Sequence, residues 1–260
     1  FPHLLKVINF VKSLDLSVVI VTNTTLMSKR YANIFYKNDV IVVGKLDSLK
    51  KSIQDTLANR KNVLTRILKG INNLLRIGYG KHLPFSLATL ITNKNFSEIP
   101  QILRWMRKKG IEPYIQHLVP LGRAKYHNLS CSVSSLQHLY ERLLMIDREF
   151  ENEWEMTPTI VGQQCDRFYY SYYITSDGFV QPCSGVPIYL GNVKHNSLKS
   201  ILKSKLARVI RSQMLKGIPS CKSCKFFQGC YGCRGRAYTI VGDLFAPDPG
   251  CWFSKKFMST

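Results

Sequence analysis

Acidic side chains are scarce in this chain: 16 Asp and Glu stand against 37 Lys and Arg, for a formal net charge of +21. Such an excess raises the question of a nucleic-acid partner. No aromatic–basic RNA-binding signature accompanies it. The excess is also spread out, with 23 basic against 12 acidic residues over 1–165 and 14 against 4 over 166–260. A generally cationic surface is therefore the expected reading, ahead of a nucleic-acid partner. Long apolar runs are missing too: none approaches the roughly 20 residues that span a bilayer. Phe1-Pro2-His3 is not the charged start of an export signal. A cytoplasmic, membrane-free protein is the expectation. The chain starts on Phe, in what reads as mid-element, so these 260 residues are expected to be part of a longer product.

Also absent is a glycine-rich dinucleotide fingerprint, although strands and helices alternate. Residues 4–13 carry apolar positions at helical spacing. Leu16–Val21 and Val40–Val43 are β-branched runs of the kind that form buried strands. A helical stretch from Ile53 to Leu75 breaks near Asn59, and Pro84–Thr92 is a third strand. Ser97 is placed to cap a helix that ends at Gly110. A fourth strand, Ile111–Val119, and a helix, Ser134–Glu151, follow. Successive βα units without the fingerprint suit a piece of a (β/α) barrel, whose chemistry sits at the carboxyl ends of strands. Asn23, Lys45, Asp47, Asn93, Gln116 and His117 stand at those ends.

Beyond about residue 155 the alternation stops. We place a boundary there, giving domains 1–155 and 156–260. Asp177-Gly178 between strand-like runs predicts a hairpin that brings Cys165 and Cys183 together. A helix is predicted over Ser197–Leu215. From Lys194 to Gly217 there are seven Lys/Arg and no acid.

Seven of the eight cysteines fall within 87 residues: Cys165, Cys183, Cys221, Cys224, Cys230, Cys233 and Cys251. With no export signal, such spacing points to metal binding rather than disulfides. Thiolates at these separations suit Zn or Fe–S. Seven exceed one tetrahedral site and fall one short of two. Gly229, Gly232 and Gly235 let backbone N–H groups approach anionic sulfur. Asp248-Pro249-Gly250 favours a turn that presents Cys251. Cys131 stands apart in a loop, as a plain thiol.

The order Cys165-x12-Gly178-x4-Cys183, Cys221-x2-Cys224-x5-Cys230-x2-Cys233 and Cys251 resembles the SPASM domain at the carboxyl end of radical S-adenosylmethionine (SAM) enzymes. The segments SDGFVQPC, GCYGCRGRAY and GDLFAPDPGC agree with it. HLLKVINFVKSLDLSVVIVTNTT and LVPLGRA resemble parts of the radical SAM barrel. The resemblance implies an α/β fold: an incomplete (β/α)6-type radical SAM barrel followed by a small, loop-rich α+β SPASM domain. It implies two auxiliary [4Fe–4S] clusters. Cys165, Cys183 and Cys233 would ligate the first, and Cys221, Cys224, Cys230 and Cys251 the second. The first would keep an open iron for substrate, water or a side chain such as Asp166. Asn23, Asn93, Gln116 and Arg123 would face SAM or substrate. SAM and a third [4Fe–4S] cluster belong to the intact enzyme, but the Cys-x3-Cys-x2-Cys loop that carries that cluster is not in this sequence. Implied partners are a peptide, porphyrin-type or metal-cofactor substrate and a reduced ferredoxin or flavodoxin-like donor. Two other classes compete: a zinc-ribbon module that binds nucleic acid, and a non-catalytic Fe–S electron carrier.

Overall fold

The computed structural model describes residues 2–227 and 229–254. Its first half is built on a four-stranded sheet in the order β1 (Val19–Thr22), β2 (Ile41–Lys45), β3 (Phe85–Ile91) and β4 (Glu112–His117). β1 pairs with β2 and β2 with β3 in parallel, with Val42 opposite Phe85 and Lys45 opposite Ala88. β3 is almost wholly buried, which is why FSLATLI reads as a continuous apolar run instead of an alternation. β1 lies at one edge of the sheet. It leaves Val19 54% and Val21 72% exposed, and Phe10 of the preceding helix is 65% exposed.

The helices of this half are α1 (Leu4–Ser13), α2 (Lys29–Lys37), α3 (Lys51–Ala58), α4 (Val63–Ile77), α5 (Ile99–Arg107) and α6 (Val133–Arg148). Ser28 caps α2 by accepting from the Tyr31 N–H, and Ala32 and Phe35 supply its buried face. The break near Asn59 is present, with Asn59 at φ +51 closing α3. Asp55 of α3 then accepts from the backbone N–H groups of Asn62, Val63 and Leu64, so one carboxylate caps the start of α4. Ser97 does not cap α5. It sits in a 3-10 turn, Phe96–Glu98, and the helix begins at Ile99 with Pro100 in its first turn, where a missing N–H costs nothing.

In the second half, Tyr173–Ile174 (β5) pairs antiparallel with Phe179–Gln181 (β6), and β6 with Gly191–Asn192 (β7). Gly178 makes the hairpin turn at φ +90. The first arm is shorter than its sequence suggests because Arg167–Tyr170 coils into a helical turn, α7. The single helix expected over Ser197–Leu215 is two: α8 (Leu198–Leu202) and α9 (Lys205–Leu215). Ser197 and Ser204 each cap one, so a mid-run serine restarts the helix. Arg234–Arg236 forms a last short turn, α10.

By packing, the chain divides into two compact units. One runs to Gln116 and includes Arg142–Asn152; the other is His117–Glu141 with the chain from Glu153 onward. The second has its own core of Phe168, Val186, Ile210, Met214, Ile218, Tyr231 and Leu244. Among the described residues no helix is long and apolar enough to cross a membrane.

Candidate functional site

All eight cysteines are free thiols and half-buried. Cys221, Cys224, Cys230 and Cys251 line one cavity of about 630 Å³, together with Arg234 and Asp248. Tight turns aim them. The Cys224 N–H donates to the Cys221 carbonyl at 2.9 Å, Cys230 to Phe226 at 2.8 Å, and Cys251 to Asp248 at 3.0 Å. Cys165 and Cys183 pack against the Phe168–Tyr231 core, and so does Cys221.

Some thiols also lie within electrostatic reach of one another: Cys165 of Cys183 and, after Arg236 and Asp248, of Cys233. After Asp248, Cys224 and Cys221 act on Cys230, and Cys230 and Cys221 on Cys251. Burial pushes the Cys183, Cys230 and Cys233 thiols up, and Cys251 to about 12. Burial outweighs the pull of neighbouring cations such as Arg236 on Cys233, so these sulfurs keep their protons.

Donors already point at three sulfurs. The Tyr231 hydroxyl donates to Cys165 Sγ at 3.5 Å while accepting from the Phe168 N–H. Gly185 N–H donates to Cys183 Sγ at 3.4 Å, and Gly232 N–H to Cys230 Sγ at 3.3 Å. Asp166 is exposed and accepts from the Tyr170 hydroxyl. Cys131 is a half-buried loop thiol, raised to about 11 by burial alone.

Asp248 ties the region together. Its Oδ1 accepts from Arg236 Nε (2.8 Å) and Gly250 N–H (2.9 Å), and its Oδ2 from Arg236 Nη2 (2.6 Å) and Cys233 N–H (2.7 Å). Burial works to raise this carboxyl, but Arg236 and the two N–H groups outweigh it and hold it at about 2. The pair is nearly dry, 4% and 1% exposed. Beside it, His117 packs edge-on to Tyr140 (5.2 Å between centroids) and against Trp252 (6.1 Å). Burial, then the Arg236 charge, depresses His117 well below its usual value against the pull of Asp248. It is a neutral wall residue.

In the first unit a second cavity, about 340 Å³, opens at the carboxyl ends of β1 and β2. Asn23, Thr25, Lys45, Asp47, Gln54, Arg60 and Arg66 are among its lining. Lys45 pairs with Asp47, whose Oδ1 also accepts from Leu90 N–H. Gln54 fixes the loop by accepting from Asp47 and Ser48 N–H groups. Arg60 and Arg66 are exposed. Asn23 accepts from Thr25, Asn93 is exposed just after β3, and Gln116 is half-buried on β4. Arg123 belongs to the second unit, exposed in the 3-10 turn Gly122–Tyr126. The polar anchor near Asn93 is Asn95, fully buried and bonded to Thr92, Asp47 and Leu90.

Among the described residues, no three His, Cys, Asp or Glu side chains converge closely enough to hold one metal ion. Four thiols around a cavity of about 630 Å³, one of them already accepting from the Gly232 N–H, instead fit a multi-atom group. The chemistry of the donor set thus agrees with an iron–sulfur cluster.

Residues 165–225 match the SPASM family, an iron–sulfur cluster-binding domain. An AdoMet-dependent heme synthase of Methanosarcina barkeri is 24% identical over 96% of this chain and 78% of its own length. The Bacillus subtilis protein AlbA, named for biosynthesis of the bacteriocin subtilosin, is 26% identical over 89% of this chain and 53% of its own. A solved structure described as native anSMEcpe with bound AdoMet shares the fold, with a TM-score of 0.70 at 16% identity over 94% of this chain and 72% of that one. The parallel sheet, the cysteine-lined cavity and these likenesses agree: residues 165–225 match the SPASM family, and over most of its length the chain is similar to radical SAM/SPASM proteins.

Proposed function

We propose that this chain is the cluster-bearing part of a SAM-dependent oxidoreductase or maturase with two auxiliary [4Fe–4S] groups. Cys221, Cys224, Cys230 and Cys251 would hold one, and Cys165, Cys183 and Cys233 the other. The observation that carries this reading is that the first four thiols line a single cavity. When bound, such groups supply one-electron transfer. Tyr231 and the Gly185 and Gly232 N–H groups stabilise thiolate character on the sulfurs they face. Asp248 holds Cys233 and the Gly250–Cys251 turn in place. With three thiolates, the group held by Cys165, Cys183 and Cys233 keeps a position for substrate, water or Asp166.

The cavity at the ends of β1 and β2 receives SAM or part of the substrate. Arg60 and Arg66 line it and have no acidic partner among the described residues, so they attract a carboxylate. Asn23 and Gln54 offer amide groups nearby. The favoured substrate is a haem-type tetrapyrrole, because the relatives matched over 96% and 82% of the chain are named heme synthases. A peptide is the second reading, favoured by AlbA. A ferredoxin or flavodoxin-like protein supplies electrons, its acidic surface suiting the basic one here.

Metal analysis of anaerobically prepared protein tests the reading. About eight iron and eight sulfide per chain are expected, falling to about half in Cys233→Ala as one group is lost. About one zinc without sulfide would overturn it in favour of a zinc ribbon.

A further inference from the structure

We propose that Arg234 donates hydrogen bonds from its free guanidinium edge to the iron–sulfur group held by Cys221, Cys224, Cys230 and Cys251, and so raises the reduction potential of that group. The inference rests on the reading that these thiolates hold a cluster.

Arg234 begins α10 directly after Cys233 and is 2% exposed. Its Nη1 donates to the carbonyls of Leu244 (2.9 Å) and Ala246 (2.6 Å), which pins one edge of the guanidinium to backbone. Nε and Nη2 are buried with no partner. A charged donor left this way costs more than a neutral one, so the edge is expected to find an acceptor when the site is complete. Asp248 is not that acceptor, because its two oxygens already take four donors. Arg234 does, however, line the same cavity as the four thiols.

Gly232 makes the approach possible. It turns at φ +62, and a Cβ there would sit 3.1 Å from Arg234 Nη2 and 2.6 Å from Asp248 Cβ. The bare backbone lets the guanidinium lie against the Cys230 turn. The acceptors such a cavity offers are then sulfurs. Burial pulls the guanidinium below its ordinary value, and the charges of Asp248, Cys233, Cys221 and Cys230 oppose that pull. It remains a cation. Reduction adds one electron to the group and no proton, so a fixed cation beside it stabilises the reduced form more than the oxidised one.

The test is an EPR-monitored dithionite titration of the loaded protein, with iron and sulfide measured alongside. In Arg234→Gln, iron should be retained while one of the two clusters becomes harder to reduce. At the wild-type midpoint its reduced-to-oxidised ratio should fall about tenfold, equivalent to about 59 mV for one electron. Arg234→Lys should recover part of the shift. Unchanged midpoints with iron retained would overturn the proposal. Should the Gln variant not hold iron, wild-type protein carrying guanidino-15N arginine decides the matter. A 15N coupling on a reduced cluster signal supports the proposal, and its absence overturns it. A wild type without iron and sulfide removes the underlying reading instead.

Discussion

Asp248→Asn should destabilise the protein by about 3–5 kcal/mol, the cost of breaking a buried ion pair from one side. Arg236 is 4% exposed and its charge has no other carboxylate bonded to it among the described residues. An amide has one acceptor oxygen where the carboxylate has two, so at least two of the four donors now satisfied must lose their partner. The damage is greater than that of a lost charge, because Cys233 and Gly250 are held by the same group. Adding Arg236→Met should restore part of the stability, since the uncompensated guanidinium is then gone. Denaturant unfolding of the two variants beside wild type measures both effects. A single variant within about 1 kcal/mol of wild type would show that the pair contributes little.

Gly70→Ala should cost about 2–3 kcal/mol, against the sign that helix propensity alone dictates. In an exposed helix alanine is favoured over glycine by roughly 1 kcal/mol. Gly70 is buried in α4, where a Cβ would overlap the Thr24 carbonyl oxygen and lie 3.1 Å from Met27 Cβ. Thr24 is fully buried at φ +58, and Asn73 of the same helix donates to the Met27 carbonyl at 2.8 Å. The obstacle is backbone held on several sides, so the helix must back away, and overpacking of that kind outweighs the propensity gain. Because Asn23 and Thr25 flank Thr24 and line the first-unit cavity, the SAM or substrate binding proposed for that cavity should weaken as well. Unfolding midpoints and equilibrium SAM binding read the two consequences. A more stable alanine variant would show that the loop yields freely.

The cysteine pattern was legible because sulfur ligation restricts both residue type and spacing. The parallel sheet was legible because buried strands read as short β-branched runs. What escaped the sequence depends on contacts distant in the chain. Asp248 reads as a turn residue, and its bond to Cys233, 15 residues away, leaves no local trace. Tyr231 reads as a spacer between two cysteines, yet its hydroxyl reaches Cys165 across 66 positions. Arg60 and Arg66 are hidden among 37 basic residues, and only folding brings them to one cavity. Asn93 and Asn95 are alike by composition. A turn places one outside and makes the other an anchor. In the sequence α8 and α9 look like one helix because serine inside an apolar period looks tolerated. The caps at Ser197 and Ser204 show what it did instead.

The flank of β1 has a consequence for the colloidal behaviour of these 260 residues. Among the described residues no strand pairs with the outer edge of β1, where Val19 and Val21 are exposed, and such an edge is a template on which copies of a chain can pair. A net charge of +21 opposes that pairing by mutual repulsion, but its range shrinks from about 30 Å at 0.01 M salt to about 8 Å at physiological ionic strength. Self-association should therefore grow as salt rises, and light scattering across a salt series would register it. The same series on Val21→Lys, which puts a charge on the edge itself, should stay flat.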